Sequence, residues 1–359
     1  MKVAIMGAGL SGLSCALTLE RHGKDVTIFE SRNQVGDRFV NGEILLSILE
    51  RPVYDCIAYL AEKHDIFLHP VSNIAELILY GEKEKAVITG FLGFTNIRGR
   101  HEDSFEKQLA RQVRSKIIYN SDYTYNQLMK EFTHVVMATG DGEYVMKLGN
   151  YQKDLSVTLK GATIEGNFKA QSVTAWLNND FAPKGYAYLI PFSDREANIV
   201  IAYPDYPDNI GKNIDILWEK FYQEVCTKLN QELRVTDRFE ISRYIIGSCQ
   251  QARIGNTLFT GNCFGSIMPF LGFGQWMAIL TGIYAAHDLC GWEQYEELVK
   301  PLRKGYNNSL MLRRGMEKAD NPKLDFIVKA LSGRIGQKLF NSGHHDPLRF
   351  ASYLLRPFV

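Results

Sequence analysis

The chain has 359 residues, of which 45% are hydrophobic and 23% are charged, as is typical of a globular protein. Its formal net charge is +1, so no overall positive field favours a nucleic-acid partner. No apolar run approaches the roughly 20 residues of a membrane-spanning helix. The length is sufficient for two or three lobes.

The first thirty residues combine strand, glycine turn, helix, strand and acid. A buried strand at 2–6 runs into a Gly-x-Gly-x-x-Gly turn at 7–12, and the sequence then predicts a helix over 10–22. A second strand at 25–29 ends at Glu30. This is the dinucleotide-binding fingerprint in its full context. Since the N-terminal apolar run is predicted to be its first strand, we do not expect it to act as a signal peptide, and we expect a cytoplasmic protein.

Each residue type in this pattern has a physical role. Gly7 allows the chain to turn sharply, and Gly12 allows helix and strand to pack closely. Gly9 allows the backbone to approach a pyrophosphate, whose charge is bound by the free N–H groups of the helix start. Glu30 can accept hydrogen bonds from a ribose diol and would repel a 2′-phosphate, although Arg32 lies nearby. The pattern leaves open whether the dinucleotide is FAD or NAD.

The chain then alternates between two kinds of segment. Residues 31–43 form a polar loop of the type that follows a cofactor, in which Arg38 either contacts a phosphate or lies in solvent. Residues 44–64 have helical apolar spacing. Residues 66–94 and 151–251 consist mainly of short β-runs, which indicates an antiparallel sheet inserted into an α/β domain.

Two later segments return to the ligand predicted at the glycine turn. A buried strand at 134–137 ends in the small residues 138–140, which let backbone pass close to a ligand. A β-run ends at 261–262, and a helix of small residues begins after Gly274, with free N–H groups at its start. A plain NAD domain does not need this second return, whereas the negatively charged reduced ring of a flavin does. The pattern therefore favours FAD.

The predicted fold class is α/β, with a Rossmann-like FAD-binding domain interleaved with an antiparallel-sheet (α+β) substrate domain and followed by a C-terminal helical region. The FAD-binding domain is assigned to 1–65, 95–150 and 252–290, the substrate domain to 66–94 and 151–251, and the helical region to 291–359.

Three motifs resemble the flavoproteins of the p-hydroxybenzoate-hydroxylase-like fold and, within them, the geranylgeranyl reductase family. The first is the turn at 7–12 with its acid, the second is PKGYAYLIP at 183–191 followed by a strand, and the third runs from 260 to 282. The family usually has Asp where this chain has Asn262, and Trp where it has Tyr188. Asn262 can still hydrogen-bond a hydroxyl group, and Tyr188 leaves the substrate identity open.

The resemblance implies an FAD-dependent oxidoreductase in which Gly261, Asn262 and the turn at 269–274 hold the ribityl chain and the isoalloxazine. Tyr186, Tyr188 and Pro191 would lie beside a substrate tunnel, with core packing as the alternative. Tyr188 and Cys263 are candidate catalytic residues because the resemblance places them near the ring. The predicted cofactor-binding set is Gly7, Gly9, Leu10, Ser11, Gly12, Glu30, Ser31, Arg32, Arg38, Gly42, Arg100, Ala138, Thr139, Gly140, Gly261, Asn262, Pro269, Gly272, Phe273 and Gly274.

Residues 301–359 carry eleven Lys/Arg against four Asp/Glu, with apolar residues between them. Such a basic amphipathic segment can lie on an anionic membrane surface, which would make the protein peripheral to a membrane. The alternative, which we favour, is helices packed on the flavin domain with a solvated basic face.

The leading hypothesis is reduction of C=C bonds of an apolar, isoprenoid-like substrate by hydride transfer from flavin N5. A flavin-dependent aromatic hydroxylase of the same fold and a catalytically silent FAD-binding partner protein are the alternatives. The sequence contains no second glycine fingerprint for a resident NADPH, so the electron donor is either transiently bound NAD(P)H or a ferredoxin-like protein. We expect no metal, because the six cysteines form no CxxC pair.

Overall fold

The computed structural model describes residues 1–341. In chain order its strands are β1 (Lys2–Met6), β2 (Asp25–Phe29), β3 (Asn41–Leu46), β4 (Ser72–Tyr80), β5 (Lys85–Arg98), β6 (Lys116–Ile118), β7 (His134–Met137), β8 (Tyr151–Glu165), β9 (Ser172–Trp176), β10 (Tyr186–Pro191), β11 (Glu196–Pro204), β12 (Arg234–Cys249), β13 (Arg253–Ile254) and β14 (Thr257–Phe259). The α-helices are α1 (Leu10–Arg21), α2 (Cys56–His64), α3 (Phe105–Ala110), α4 (Tyr125–Glu131), α5 (Glu143–Lys147), α6 (Ile214–Leu229), α7 (Gln275–Leu289), α8 (Tyr295–Leu298), α9 (Lys300–Met316), α10 (Asn321–Leu331) and α11 (Arg334–Asn341).

The first sheet has six strands in the order β13-β14-β7-β1-β2-β6. All neighbouring pairs are parallel except β13–β14. Its central strand is apolar on both faces, with Val3, Ala4 and Ile5 fully buried, as expected when helices cover both sides of a parallel sheet. Helices α1 and α7 pack closely together, since a Cβ at Gly282 would lie 2.1 Å from the Ser11 carbonyl oxygen.

The second sheet has eight strands in the order β12-β8-β11-β10-β9-β4-β5-β3, and all pairs except the parallel β4–β9 are antiparallel. Side chains alternate between its faces. One face, which includes Ile199 and Ile201, packs on Trp218 and Phe221 of α6. The opposite face is also apolar and borders the cavity described below. The predicted α/β fold class with an inserted, mainly antiparallel sheet is therefore confirmed.

The helix predicted over 44–64 is wrong in its first half. Residues 41–46 form β3, which pairs with β5 at the edge of the second sheet, and the helix begins only at Cys56. Asp55 caps that helix by accepting a hydrogen bond of 2.8 Å from the Ala58 N–H. The consecutive apolar residues 44–46 suit either element, and tertiary pairing with β5 decides between them. Residues 41–46 thus join the second sheet, although they were assigned to the FAD-binding domain.

Helices α9, α10 and α11 supply the predicted C-terminal helices as far as residue 341. The rest of the predicted region, with the apolar and basic stretch at 350–358, lies outside the described residues. Within residues 1–341, no helix is long and apolar enough to cross a membrane.

The core under α6 gives a test of the second sheet. Phe221 is fully buried, with its ring centroid 5.3 Å from those of Trp176 and Phe181. We expect Phe221→Ala to lower the free energy of unfolding by about 3–5 kcal/mol, because it leaves a cavity in this cluster. Phe326, which is 72% exposed, is the matched control, and Phe326→Ala should cost less than about 0.5 kcal/mol. Urea denaturation measures both, and equal losses would contradict the packing described.

Candidate cofactor and substrate site

The glycine turn lies against the end of β7. Gly7 has φ +115°, and a Cβ there would lie 2.2 Å from the Ala138 carbonyl oxygen. Gly12 is equally constrained, since its Cβ would lie 2.1 Å from the Gly7 carbonyl oxygen. The structure therefore brings together two of the predicted segments, 7–12 and 138–140. Any side chain at Gly7 or Gly12 would collide with backbone.

Gly9 differs from these two glycines. It precedes α1 with φ −87°, which any residue can adopt, and no atom of the described residues lies within 4 Å of the position of a Cβ. Neither strain nor packing within the protein requires glycine there. The open space lies beside the start of α1, where no side chain caps the free N–H groups, so it fits a pyrophosphate approaching the helix.

Glu30 lies beside this turn at the end of β2. Its Oε2 accepts a hydrogen bond of 2.8 Å from the Ala8 N–H, and its Oε1 accepts bonds of 2.9 Å from the Arg32 N–H and 3.4 Å from the Ser31 hydroxyl. Oε2, which accepts one bond, keeps acceptor capacity for a ribose hydroxyl. The Arg32 guanidinium donates to the Asp37 carbonyl within the same loop.

Three other predicted cofactor residues take different positions. Arg38 lies in the wall of a cavity, with its guanidinium 5.3 Å from the Phe39 ring. Gly42 lies in the same wall and donates its N–H to Asn198 Oδ1 at 3.0 Å. Arg100 forms an ion pair with Asp237 and does not border the cavity.

Asn262 links the segment at 260–282 to the segment at 138–140. Its Nδ2 donates to the Gly140 carbonyl at 2.9 Å and to the Tyr244 hydroxyl at 2.5 Å, while its Oδ1 accepts from the Ser266 hydroxyl at 2.8 Å. A carboxylate in this position could not donate the first of these bonds and would face the Gly140 carbonyl oxygen. This network gives a physical reason for Asn in place of Asp. The preceding Gly261 has φ +58° and lies against Ser11, whose Oγ would be 2.5 Å from a Cβ.

The start of α7 presents unsatisfied polar groups. Gly274 precedes the helix and has no side chain, so no side-chain cap accepts hydrogen bonds from the first N–H groups of α7. The next residue, Gln275, donates from Nε2 to the Ile44 carbonyl at 3.0 Å, but its buried Oε1 has no partner in the described part of the chain. A buried acceptor without a donor is costly, and a ligand N–H beside the helix start would satisfy it. Pro269, Gly272 and Phe273 line the cavity next to it.

The cavity has a volume of about 590 Å³ and lies between the second sheet and helices α9, α10 and α11. One wall is the apolar face of the sheet that points away from α6. Because side chains alternate along a strand, this wall takes every second residue. Examples are Leu77, Leu79, Val157, Leu159, Val173 and Ala175. The helices contribute mostly leucine, isoleucine, methionine and phenylalanine, so the cavity suits an apolar ligand.

Tyr186 and Tyr188 lie on the cavity face of β10, as expected for residues two apart. The Tyr186 hydroxyl donates to the Leu271 carbonyl, and the Tyr188 hydroxyl donates to Asn41 Oδ1 at 2.9 Å. Burial raises the pKa of both phenols, so both are neutral at physiological pH. Pro191, the third predicted tunnel residue, ends β10 opposite Ala197 and does not line the cavity.

Cys263 does not reach the cavity. It is fully buried, with its Sγ 3.1 Å from the Thr139 hydroxyl, and burial raises the pKa of its thiol to about 11. A protonated, enclosed thiol is a poor proton donor or nucleophile at neutral pH. Of the two candidate catalytic residues, the structure places Tyr188 in the cavity and Cys263 behind the loop at 139–140.

The sequence patterns missed a buried charged group at the cavity wall. The Arg98 Nε lies 2.8 Å from Glu106 Oε1, and its Nη1 lies 3.0 Å from Glu43 Oε2. Burial alone would lower the pKa of Arg98, but Glu106 and Glu43 raise it above its ordinary value. An arginine ending an apolar strand is a signal that could have been noticed. Its partner Glu43 is 55 residues away in sequence and could not be inferred.

Comparisons with known proteins agree with this geometry. Residues 5–44 match the NAD(P)-binding Rossmann-like domain family. A digeranylgeranylglycerophospholipid reductase from Methanocella arvoryzae is 29% identical over 222 residues, which is 55% of this chain and 55% of the relative, so the match spans about half the length of each. The structure of a geranylgeranyl bacteriochlorophyll reductase-like protein from Thermoplasma acidophilum is 15% identical, with a TM-score of 0.77 over 98% of this chain and 95% of that one. The structure of a flavin-dependent brominase is 15% identical, with a TM-score of 0.68 over 99% of this chain and 97% of that one.

The chain therefore has a two-sheet fold with a Rossmann-like segment at 5–44, an architecture that it shares with flavin-dependent enzymes. Within that class, the chain is similar to a geranylgeranyl-type reductase over about half of its sequence and to a geranylgeranyl bacteriochlorophyll reductase-like protein in fold, so the resemblance predicted from its three motifs is confirmed. The brominase shows that the same fold also serves other flavin-dependent enzymes.

Gly9 provides the test of the glycine turn. We expect Gly9→Ala to fold normally, because no protein atom lies within 4 Å of the new methyl group, and to bind dinucleotide about tenfold or more weakly. Losing a hydrogen bond to a charged phosphate costs roughly 1.5–3 kcal/mol. Gly333 also has open space and lacks a positive φ, so Gly333→Ala is the matched control. Melting temperature and bound FAD per chain are measured for both. Full FAD occupancy in Gly9→Ala would refute the assigned role.

Proposed function

We propose that the chain is an FAD-dependent oxidoreductase that reduces carbon–carbon double bonds of an apolar, isoprenoid-like molecule. The observation that carries this proposal is the apolar cavity of about 590 Å³ that borders the glycine-rich loop before α7. Its size falls in the range of ligand pockets, and its walls offer few polar partners. The similarity to a digeranylgeranylglycerophospholipid reductase supports the same substrate class.

FAD is the dinucleotide that best fits the residues present. Gly9 and the start of α1 would hold the pyrophosphate, and Glu30 would accept from the ribose. The start of α7, with the unpaired Oε1 of Gln275, would face the flavin ring. An NAD molecule would use the first of these sites and leave the second without a ligand.

Bound FAD would supply the hydride for alkene reduction. The protein's own contribution is position, exclusion of water and a proton source. The apolar wall of the second sheet excludes water from the double bond. Tyr188 is the candidate proton donor, because burial keeps its phenol protonated and its hydroxyl lies in the cavity wall. Donation requires release of its hydrogen bond to Asn41.

The first experiment is the visible absorption spectrum of the purified protein, followed by identification of the cofactor released by acid. The protein is then reduced without oxygen and incubated with geranylgeraniol. A product mass increased by two for each double bond supports the proposal. A product that gains oxygen in air would instead indicate a hydroxylase. Failure of the purified protein to take up FAD would refute the flavoenzyme proposal.

The electron donor forms a separate part of the proposal. NAD(P)H and a ferredoxin-like protein are the two candidates, and each can be supplied alone to the FAD-loaded protein. Bleaching of the flavin absorbance by one of them identifies the donor class. If neither donor bleaches a flavin that dithionite does reduce, both candidates are rejected.

Filling the cavity should block the substrate and spare the cofactor. Ala175 lies in the sheet wall on β9, and Ala175→Trp places an indole where the chain of the substrate would lie. We expect the rate with geranylgeraniol to fall about tenfold or more, since small displacements of a bound substrate have large effects on rate. Bound FAD should stay unchanged. Ala330→Trp on the exposed surface of α10 is the control, and equal rates in the two variants would contradict the assigned cavity.

A further inference from the structure

Besides Arg38 and Arg98, the cavity wall contains a third arginine, and its surroundings differ from those of Arg98. Arg313, on α9, is only 4% exposed and borders the cavity together with Tyr186 and Met316. It is the adjacent Arg314, rather than Arg313, that points to solvent. The buried arginine therefore faces a cavity that is otherwise mostly apolar on this side.

Arg313 has no counter-charge in contact with it. Its Nη2 donates to the Lys184 carbonyl, and its Nε has no partner in the described part of the chain. No carboxylate of residues 1–341 lies within ion-pair distance, whereas Arg98 has two. Lys184, whose carbonyl accepts from Arg313, pairs its own ammonium group with Asp208 at 2.7 Å. Arg313 thus lacks a direct ion pair among these residues, and the Tyr206 hydroxyl and the Glu317 carboxylate, one turn further along the chain, act on its charge from nearby.

A guanidinium keeps its proton at any physiological pH, so this charge cannot be removed by titration. Burial lowers the pKa of Arg313, and its interactions with the Tyr206 hydroxyl, the Glu317 carboxylate and the Tyr186 hydroxyl do not fully offset that effect. For Arg98 the carboxylates more than offset it. A buried charge without a partner is unfavourable, and an anion entering the cavity would supply the missing partner.

The backbone around Arg313 fixes its position. Lys184 has φ +57°, a left-handed conformation that is uncommon outside glycine, and its N–H donates to Asn179 Oδ1 at 2.6 Å. The next residue, Gly185, lies so close to β11 that a Cβ would be 1.9 Å from the Ala202 carbonyl oxygen. The carbonyl that accepts from Arg313 is therefore held on both sides, and the guanidinium is preorganised beside the cavity.

We propose that Arg313 binds a single carboxylate carried by the apolar ligand of this cavity, so that the substrate class is an isoprenoid-like monocarboxylate. This inference rests on the proposed function. One guanidinium matches one negative charge in a fork geometry that suits a carboxylate. A phosphate monoester carries nearly two charges at neutral pH, and one would stay uncompensated in an apolar cavity. A purely structural role for Arg313 predicts no preference between charged and neutral ligands.

The test measures binding to the FAD-loaded protein for three probes of equal chain length: geranylgeranoic acid, geranylgeraniol and geranylgeranyl monophosphate. Isothermal titration gives the dissociation constants, and anaerobic reduction of each probe is followed separately. We expect the acid to bind about tenfold more tightly than the alcohol, as for a charge-assisted hydrogen-bonded pair, and more tightly than the phosphate. Equal binding of acid and alcohol, or tightest binding of the phosphate, would overturn the proposal.

Variants separate the role of Arg313 from general damage. Arg313→Gln should abolish the preference for the acid over the alcohol, and Arg313→Lys should restore part of it. Arg314→Gln, at the exposed neighbouring position, should keep the full preference. A preference that survives Arg313→Gln would refute the assignment. If the glutamine variant fails to fold, the binding of the three probes to the unaltered protein still tests the proposal.

The two proposals fail in different ways. Preferential binding of the acid without reduction of any probe would leave the carboxylate site standing and reject the reductase. Reduction of acid and alcohol with equal dissociation constants and rates would support the reductase and reject the carboxylate site.

Discussion

The close contact between Gly7 and the end of β7 determines the geometry on which the rest of the site depends. The Ala138 carbonyl oxygen occupies the space that a side chain at Gly7 would need. A similarly close contact recurs where α7 meets α1, because Gly261 and Gly282 both lie against Ser11. Three segments that are far apart in sequence can converge at one edge of the first sheet only because these positions lack a Cβ. The open space at Gly9 lies at that edge, and there no atom of the described residues requires glycine.

The second sheet has two apolar faces with different occupants. The face toward α6 is filled by the protein itself, through Trp218 and Phe221. The other face is apolar but borders a cavity, even though α9, α10 and α11 cover it. Apolar surface that the fold does not bury against itself is stabilised by an apolar ligand. An apolar ligand of the kind proposed above would complete the burial of this sheet face.

Sequence patterns predicted the parts of this protein in which one local signal determines the outcome. The glycine turn, the acid at the end of β2 and the helix after Gly274 each have short-range signatures, and the structure contains the corresponding elements. Residues 44–46 were misassigned because three consecutive apolar residues fit a helix or a strand, and the partner strand β5 begins some forty residues later. The positions of Arg98 and Arg313 could not be predicted either. Whether an arginine is paired depends on residues that only the tertiary fold brings near.

Contacts between the two lobes include several that are polar and directional, beside the apolar packing of Leu45 and Cys249 on the core of the first sheet. Arg98 of β5 pairs with Glu106 of α3, Asn262 bonds to Tyr244 of β12, and Gln275 of α7 donates to the Ile44 carbonyl of β3. Apolar contacts tolerate sliding, whereas hydrogen bonds and ion pairs have defined distances and angles. Buried polar pairs contribute little net stability compared with apolar replacements, but they fix relative orientation. Since the proposed cofactor and substrate positions lie between the lobes, these polar contacts help to fix the orientation of the start of α7 relative to the second sheet.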